Sequence, residues 1–142
     1  MALTEHAEID ARRRPLETRP NPSPNFDYIV TLHGAMMIGG LPDPIKFCIH
    51  YVPDRLLLEP GSLDQYGGVI RSQRWSSFEE AALALLTDFN NVVIPRWVDV
   101  LAETRRSGGN CSSGVDNHHA AFLSERQPGW DNPDLLSRLA RI

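Results

Sequence analysis

An α+β domain built on an antiparallel sheet is predicted by three features of the sequence. Ile45 to Val52 alternates with period two, Phe78 to Phe89 repeats with a period near 3.6, and strand signals come before and after a pair of helix signals instead of alternating with them. The 142 residues are the length of one domain, and 42% hydrophobic with 23% charged residues are enough for a modest core.

The elements follow in order. Residues 1–25 hold the Arg12-Arg13-Arg14 run and Pro15, Pro20, Pro22 and Pro24 with almost no apolar periodicity, so an extended or disordered arm is expected. Phe26 to Leu32 is aromatic and β-branched and reads as a strand, and Gly34, Gly39, Gly40 and Pro42 then mark a long turn. Ile45, Phe47, Ile49 and Tyr51 share one face of the next strand. Arg55 to Glu59 is a short apolar run after Pro53-Asp54, with the length of a third strand. From Ser62 to Arg74, Leu63, Tyr66, Ile70 and Trp75 have roughly helical spacing against the cost of Gly67-Gly68. Phe78, Ala81, Ala82, Leu85, Leu86 and Phe89 form the apolar face of a second helix, which Ser76 and Glu79 open with a capping-box pattern. Trp97 to Thr104 alternates again, Gly108-Gly109 turns the chain, and a weaker strand is expected around Cys111 to Asp116. Asn132-Pro133-Asp134 then opens a short helix carrying Leu135, Leu136, Leu139 and Ile142. The expected organisation is thus an arm over 1–25, one domain over 26–117, and a C-terminal extension over 118–142. Helices on one face leave the other face of the sheet uncovered, so a second copy of the chain is expected against it.

A net charge of −4 offers no basic groove for nucleic acid and no attraction to an anionic membrane surface. Cys48 and Cys111 are too few for a disulfide framework and have no zinc spacing. No stretch has the apolar length of a membrane span or a signal sequence, and a cytoplasmic protein is expected. His33, His50, His118 and His119 lack metal-ligand spacing and read as structural or solvated, so no metal is expected.

A set of short motifs gives the chain a family resemblance. Leu16-Glu17-Thr18, Asn21-Pro22, Asp27-Tyr28, Gly40-Leu41-Pro42-Asp43, Tyr51-Val52-Pro53-Asp54, Glu59 with Ser62-Leu63 and Tyr66, Phe78-Glu79 before Asp88, and Pro95-Arg96-Trp97 occur in this order. Together they resemble the NADPH-dependent 7-cyano-7-deazaguanine reductases, the nitrile reductases of queuosine biosynthesis, over residues 16–112. The resemblance implies the tunnelling fold, in which small α+β subunits with two helices on one face of the sheet assemble into barrels and place their sites between subunits.

The same resemblance marks departures. The nucleophilic cysteine that the family places before its Gly-x-Pro-Asp turn corresponds to Met36, and no cysteine precedes Phe47. A thioether has no proton to lose and cannot form the covalent thioimide. The family's cofactor lysines correspond to Gly61 and Asp64, which removes the cations that would meet the phosphates of NADPH, so no cofactor is expected. Two acids are retained: Asp43 at the position of the family's proton donor, and Glu79 at the position of the acid that recognises the substrate's base edge. The histidine that precedes that acid in the family is Phe78 here.

Asp43 and Glu79 are therefore the candidate catalytic residues, although aspartate is also common in turns and Glu79 also suits a helix cap. Met36, Met37, Trp75 and Phe78, with His33, are the expected lining of an intersubunit pocket for an apolar small molecule. The expected function is a cofactor-free enzyme of specialised metabolism promoting a cyclisation, pericyclic or otherwise, or an isomerisation. The alternatives are a non-catalytic binding or regulatory homologue, and a nitrile reductase with a different nucleophile.

Overall fold

The computed structural model describes residues 2–106 and 117–141. Helix α1 (Ala2–Arg13) leads to a short strand β1 (Thr18–Pro20), then β2 (Val30–Met36), β3 (Ile45–Val52) and β4 (Leu56–Leu58). Helices α2 (Ser62–Ser72) and α3 (Phe78–Val93) follow, then strands β5 (Trp97–Arg106) and β6 (Asn117–Arg126). The chain ends in α4 (Pro133–Leu136) and a 3-10 segment at Ser137–Arg141. The main sheet has four antiparallel strands in the order β2-β3-β5-β6, and β1 pairs with β4 in a separate two-stranded ribbon. This α+β architecture, an antiparallel sheet with two helices on one face and a short C-terminal helix, is the one predicted from the sequence.

The core lies between that face and the helices. Ile49, Val98 and Val100 have no exposed surface, and Phe89 of α3 meets Tyr51 of β3 edge to face at 4.9 Å. Each such side chain contributes about 1.5–3 kcal/mol of burial. The period-two and period-3.6 patterns are the imprint of this single interface, which is why β3 and α3 stand where the alternation and the helical spacing place them.

Four elements differ from the sequence expectation. The first 25 residues are not an arm: α1 docks on the helix layer through Arg12 and Arg13, both bonded to Asp88, which is fully buried on α3. This segment is ordered by partners it does not itself contain, so its own low hydrophobicity was a poor guide. The first sheet strand begins at Val30, and Phe26 is 68% exposed. Gly34 belongs to the strand and not to the turn, paired with Phe47, whose ring would stand 2.5 Å from a Cβ there and so keeps the position glycine. The short run at Leu56–Leu58 forms the ribbon with Thr18–Pro20 and not a third strand of the sheet. Residues 118–126, placed in the C-terminal extension, belong to β6, the edge strand along the whole of β5. The strand expected at Cys111 to Asp116 lies outside the described residues.

Several motif residues hold the domain together at one end. Arg96 donates to Asp27 at 3.0 Å and to Asp54 at 3.2 Å, and Asp27 also accepts from Asn132 at 3.0 Å and Trp130 at 3.2 Å. These bonds hold the Asp27 carboxyl below its ordinary range against the opposing effect of burial.

Candidate functional site

The turn between β2 and β3 is anchored on the helix layer through glycine. Gly39 donates to Ile70 O at 3.4 Å and accepts from Trp75 N at 3.0 Å, so close that a Cβ would stand 1.8 Å from Gln73 O. Gly40 then adopts φ of +84°, which no branched side chain tolerates readily. This path delivers Asp43, half-buried, to a position before β3, where Thr104 Oγ1 of β5 fastens the turn by donating to Pro44 O at 3.1 Å.

The first turn of α3 faces Asp43. Its cap is displaced by one residue from the sequence pattern: Ser77 Oγ accepts from Glu80 N at 3.1 Å, and the Glu80 carboxylate accepts from Ser76 N at 3.0 Å. Because Glu80 closes the capping box, Glu79 is free to face outward. Asp43, Phe78, Glu79 and Thr104 line a common cavity of about 340 Å³. The structure thus brings both candidate acids together.

It also brings a residue the sequence reading left in a solvated tail. His119 of β6 lines the same cavity, with its Nε2 2.7 Å from Glu79 Oε1 and its ring centred 4.5 Å from that of Phe78. The Glu79 carboxyl is held below its usual range, first by a backbone hydrogen bond and then by His119. The signal available in the sequence was the alternation His119, Ala121, Leu123, three residues that share the helix-covered face of β6 with Ala102 and Val100 opposite.

Met36, Met37 and His33 line a different and larger cavity of about 510 Å³, between β2 and α2, together with Phe47, Leu63 and Arg71. Trp75 lines neither cavity. It is 7% exposed, donates from Nε1 to Ile70 O at 2.9 Å and carries the Arg12 guanidinium 5.4 Å from its ring, so its place is structural.

Cys48 lies on the opposite face of the sheet from Met36, 3.3 Å from His50 Nε2. Burial, with Asp99 and Glu103 nearby, pushes its thiol above the ordinary value, the wrong direction for a nucleophile. Burial also lowers the His50 imidazole, with His33 adding to the effect. Among the described residues no group of three or more His, Cys, Asp or Glu could hold a metal ion.

The segment that would meet a dinucleotide's phosphates does not fit that role. Gly61 has open space where its side chain would be, Asp64 adds a carboxylate to the first turn of α2, and Glu59 is paired with Arg19 at 2.9 Å. Arg71 is a lone cation in a cavity that Asp64 shares. No helix among the described residues is long and apolar enough to cross a membrane.

No protein-family model matches the chain. Individual relatives do. The NADPH-dependent 7-cyano-7-deazaguanine reductase of Acidithiobacillus ferrooxidans is 30% identical over 135 residues, covering 91% of this chain and 89% of the relative. The enzyme of that name from Syntrophus aciditrophicus is 34% identical over 125 residues, covering 84% of each chain. The one from Nitrosococcus oceani is 32% identical over 129 residues, covering 87% of this chain and 93% of its own. Among solved structures, the archaeosine synthase QueF-Like in the apo form aligns with a TM-score of 0.46 at 20% identity, covering 72% of this chain and 94% of that one. Identity at this level along nearly the whole chain, on the strand and helix order described above, places the protein in the family of NADPH-dependent 7-cyano-7-deazaguanine reductases.

Proposed function

We propose that this member of the family is a cofactor-independent enzyme that folds an apolar small molecule into a reactive shape and promotes its cyclisation, by pericyclic or other closure, or its isomerisation. The observation that carries the reading is Met36. At the position where the resemblance implies a nucleophilic cysteine, the chain has a thioether, set in a cavity with Met37, Leu32, Phe47 and Leu63. Flexible thioethers and aliphatic walls suit a large apolar ligand, and Arg71 supplies a polar handle, while the His33 imidazole faces Cys48 on the other side of the sheet. Confinement into a near-attack shape needs neither nucleophile nor redox group and lowers a barrier by several kcal/mol, on the order of what well-oriented intramolecular reactions gain. Asp43 and Glu79 line the separate cavity at the start of α3, and they add hydrogen bonds where charge develops once a second copy brings that cavity against the Met36 wall. Such a reaction belongs to specialised metabolism.

The pocket is completed in a homo-oligomer. The outer edges of β2 and β6 have no strand partner within the described residues, and Phe122 is 66% exposed on the face away from the helices. Unpaired edges and an apolar patch favour association of copies.

The test is incubation of the protein with linear and macrocyclic conjugated polyenes in the absence of NADPH. The expected product has the mass of its precursor and a different retention time, and Asp43→Asn lowers its formation by about 100-fold. Tight binding without conversion points to a binding homologue. Consumption of NADPH with 7-cyano-7-deazaguanine points to a reductase, and either result ends the proposal.

A further inference from the structure

We propose that His119 is the proton-exchanging side chain of the cavity at the start of α3, with Glu79 as its positioning carboxylate. The inference rests on the reading that redox-free chemistry takes place there. The resemblance implies a histidine at position 78, directly before the recognition acid. That position is Phe78, 6% exposed and therefore fixed in the core. The β5–β6 register sets His119 opposite Thr104 and on the helix-covered side of the sheet. The imidazole thus arrives from another element and lies over the ring that replaced the family's histidine.

Two contacts define its orientation. The tilted stack on Phe78, at 37° between ring planes, fixes the plane of the imidazole, and the 2.7 Å contact between Nε2 and Glu79 Oε1 fixes its rotation. With Nε2–H donated to the carboxylate, Nδ1 is the nitrogen left for a ligand. A carboxylate behind an imidazole is the general way to set its tautomer and hold the charge it acquires. The charged groups that face His119 are Glu79 from α3 and Asp43 from the turn, and β5 presents only the Thr104 hydroxyl. Neither Glu79 nor His119 is needed as a cap, since Glu80 and Ser77 do that work. An exposed pair of this kind adds little to stability.

The ligand class is an apolar conjugated molecule with a carbonyl or enol next to the reacting carbons. Nδ1 takes a proton from the carbon beside the carbonyl, or from the enol oxygen, and the imidazolium returns it further along the conjugated system. One bond to hydrogen breaks and another forms, with no oxidation and no leaving group.

Two measurements test this. Ring ¹⁵N spectra of the unliganded protein in alkaline buffer should show the His119 proton on Nε2, and Glu79→Ala should mix the tautomers. A proton on Nδ1 that Glu79→Ala does not move overturns the arrangement. With a polyenone that the wild type converts, His119→Phe keeps the aromatic stack and removes the nitrogens, and should lower kcat by about 100-fold with KM changed by less than about threefold. The exchange Phe78→His with His119→Phe should recover at least about tenfold of that loss. Wild-type kcat in His119→Phe overturns the role. If no polyene is converted, the functional reading and the proton transfer fall together, while the ¹⁵N result still decides the Glu79–His119 arrangement.

Discussion

Arg12 of α1 donates through Nη2 to Oδ1 of Asp88 on α3 at 2.8 Å, at a carboxylate with no exposed surface. Arg13 reaches the same oxygen at 2.7 Å and the Tyr66 hydroxyl donates to Oδ2 at 2.7 Å, so a helix from the start of the chain is locked to the core by charge-assisted bonds. The Tyr66 phenol, buried beside that carboxylate, is pushed well above its ordinary value and stays a hydrogen-bond donor at any working pH.

Removing Asp88 leaves two guanidinium groups without their partner. Asp88→Ala is expected to cost about 3–5 kcal/mol in denaturant unfolding, as for other broken buried pairs. A cost below about 1 kcal/mol would show that α1 is not held this way.

Asp99 gives the stability its pH dependence. It is 3% exposed, and Oδ1 has no hydrogen-bond partner. Burial pushes its carboxyl from 3.8 up to about 6, against a smaller opposing effect from the His50 backbone. Because the folded value lies above the unfolded one, the unfolded chain ionises first. The stability this group gives in its protonated form is fully present below about pH 4 and is lost as pH rises through about 6, by about 3 kcal/mol in all. Asp99→Asn should flatten the unfolding free energy across that window and exceed wild type at neutral pH. An unchanged profile would mean that Asp99 does not titrate there.

Gly39→Ala places a methyl group against the Gln73 carbonyl, a contact only a backbone shift can relieve. Loss of about 3 kcal/mol or more is expected in thermal or chemical unfolding, together with loss of site function as the turn carrying Asp43 moves. Gly61→Ala, in open space, serves as the control. Equal stability of the two variants would contradict the anchoring of the turn.

Met36→Cys restores the family's thiol without restoring its cation pair, since Gly61 and Asp64 remain. NADPH absorbance in the presence of 7-cyano-7-deazaguanine should stay constant for this variant. Steady oxidation would show that the phosphate-binding segment fits after all.

The parts of the fold legible in the sequence are those in which one chain segment carries its own pattern. The alternation from Ile45 to Tyr51 and the apolar stripe from Phe78 to Phe89 each face the same core, so each was readable alone. The motif order singles out Asp43 and Glu79, and the fold sets the two in one cavity. Helix α1 was not, because what orders it is Asp88, 76 positions from Arg12. A carboxylate on the apolar face of α3 was the available sign, since such a residue requires a partner. His119 was missed for the same reason: Glu79 meets it only after β6 pairs along β5, and nothing local to either residue announces that pairing. Trp75 reads equally as a pocket or a core residue from sequence, because large aromatics suit both walls and cores, and only the packing of Arg12 and Ile70 around it tells them apart.

The most direct test is a single reaction containing a conjugated polyenone, 7-cyano-7-deazaguanine and NADPH, followed by mass spectrometry of both small molecules. A new polyene product of unchanged mass and an untouched nitrile are expected. A nitrile heavier by four hydrogens, with the polyene unchanged, would contradict it.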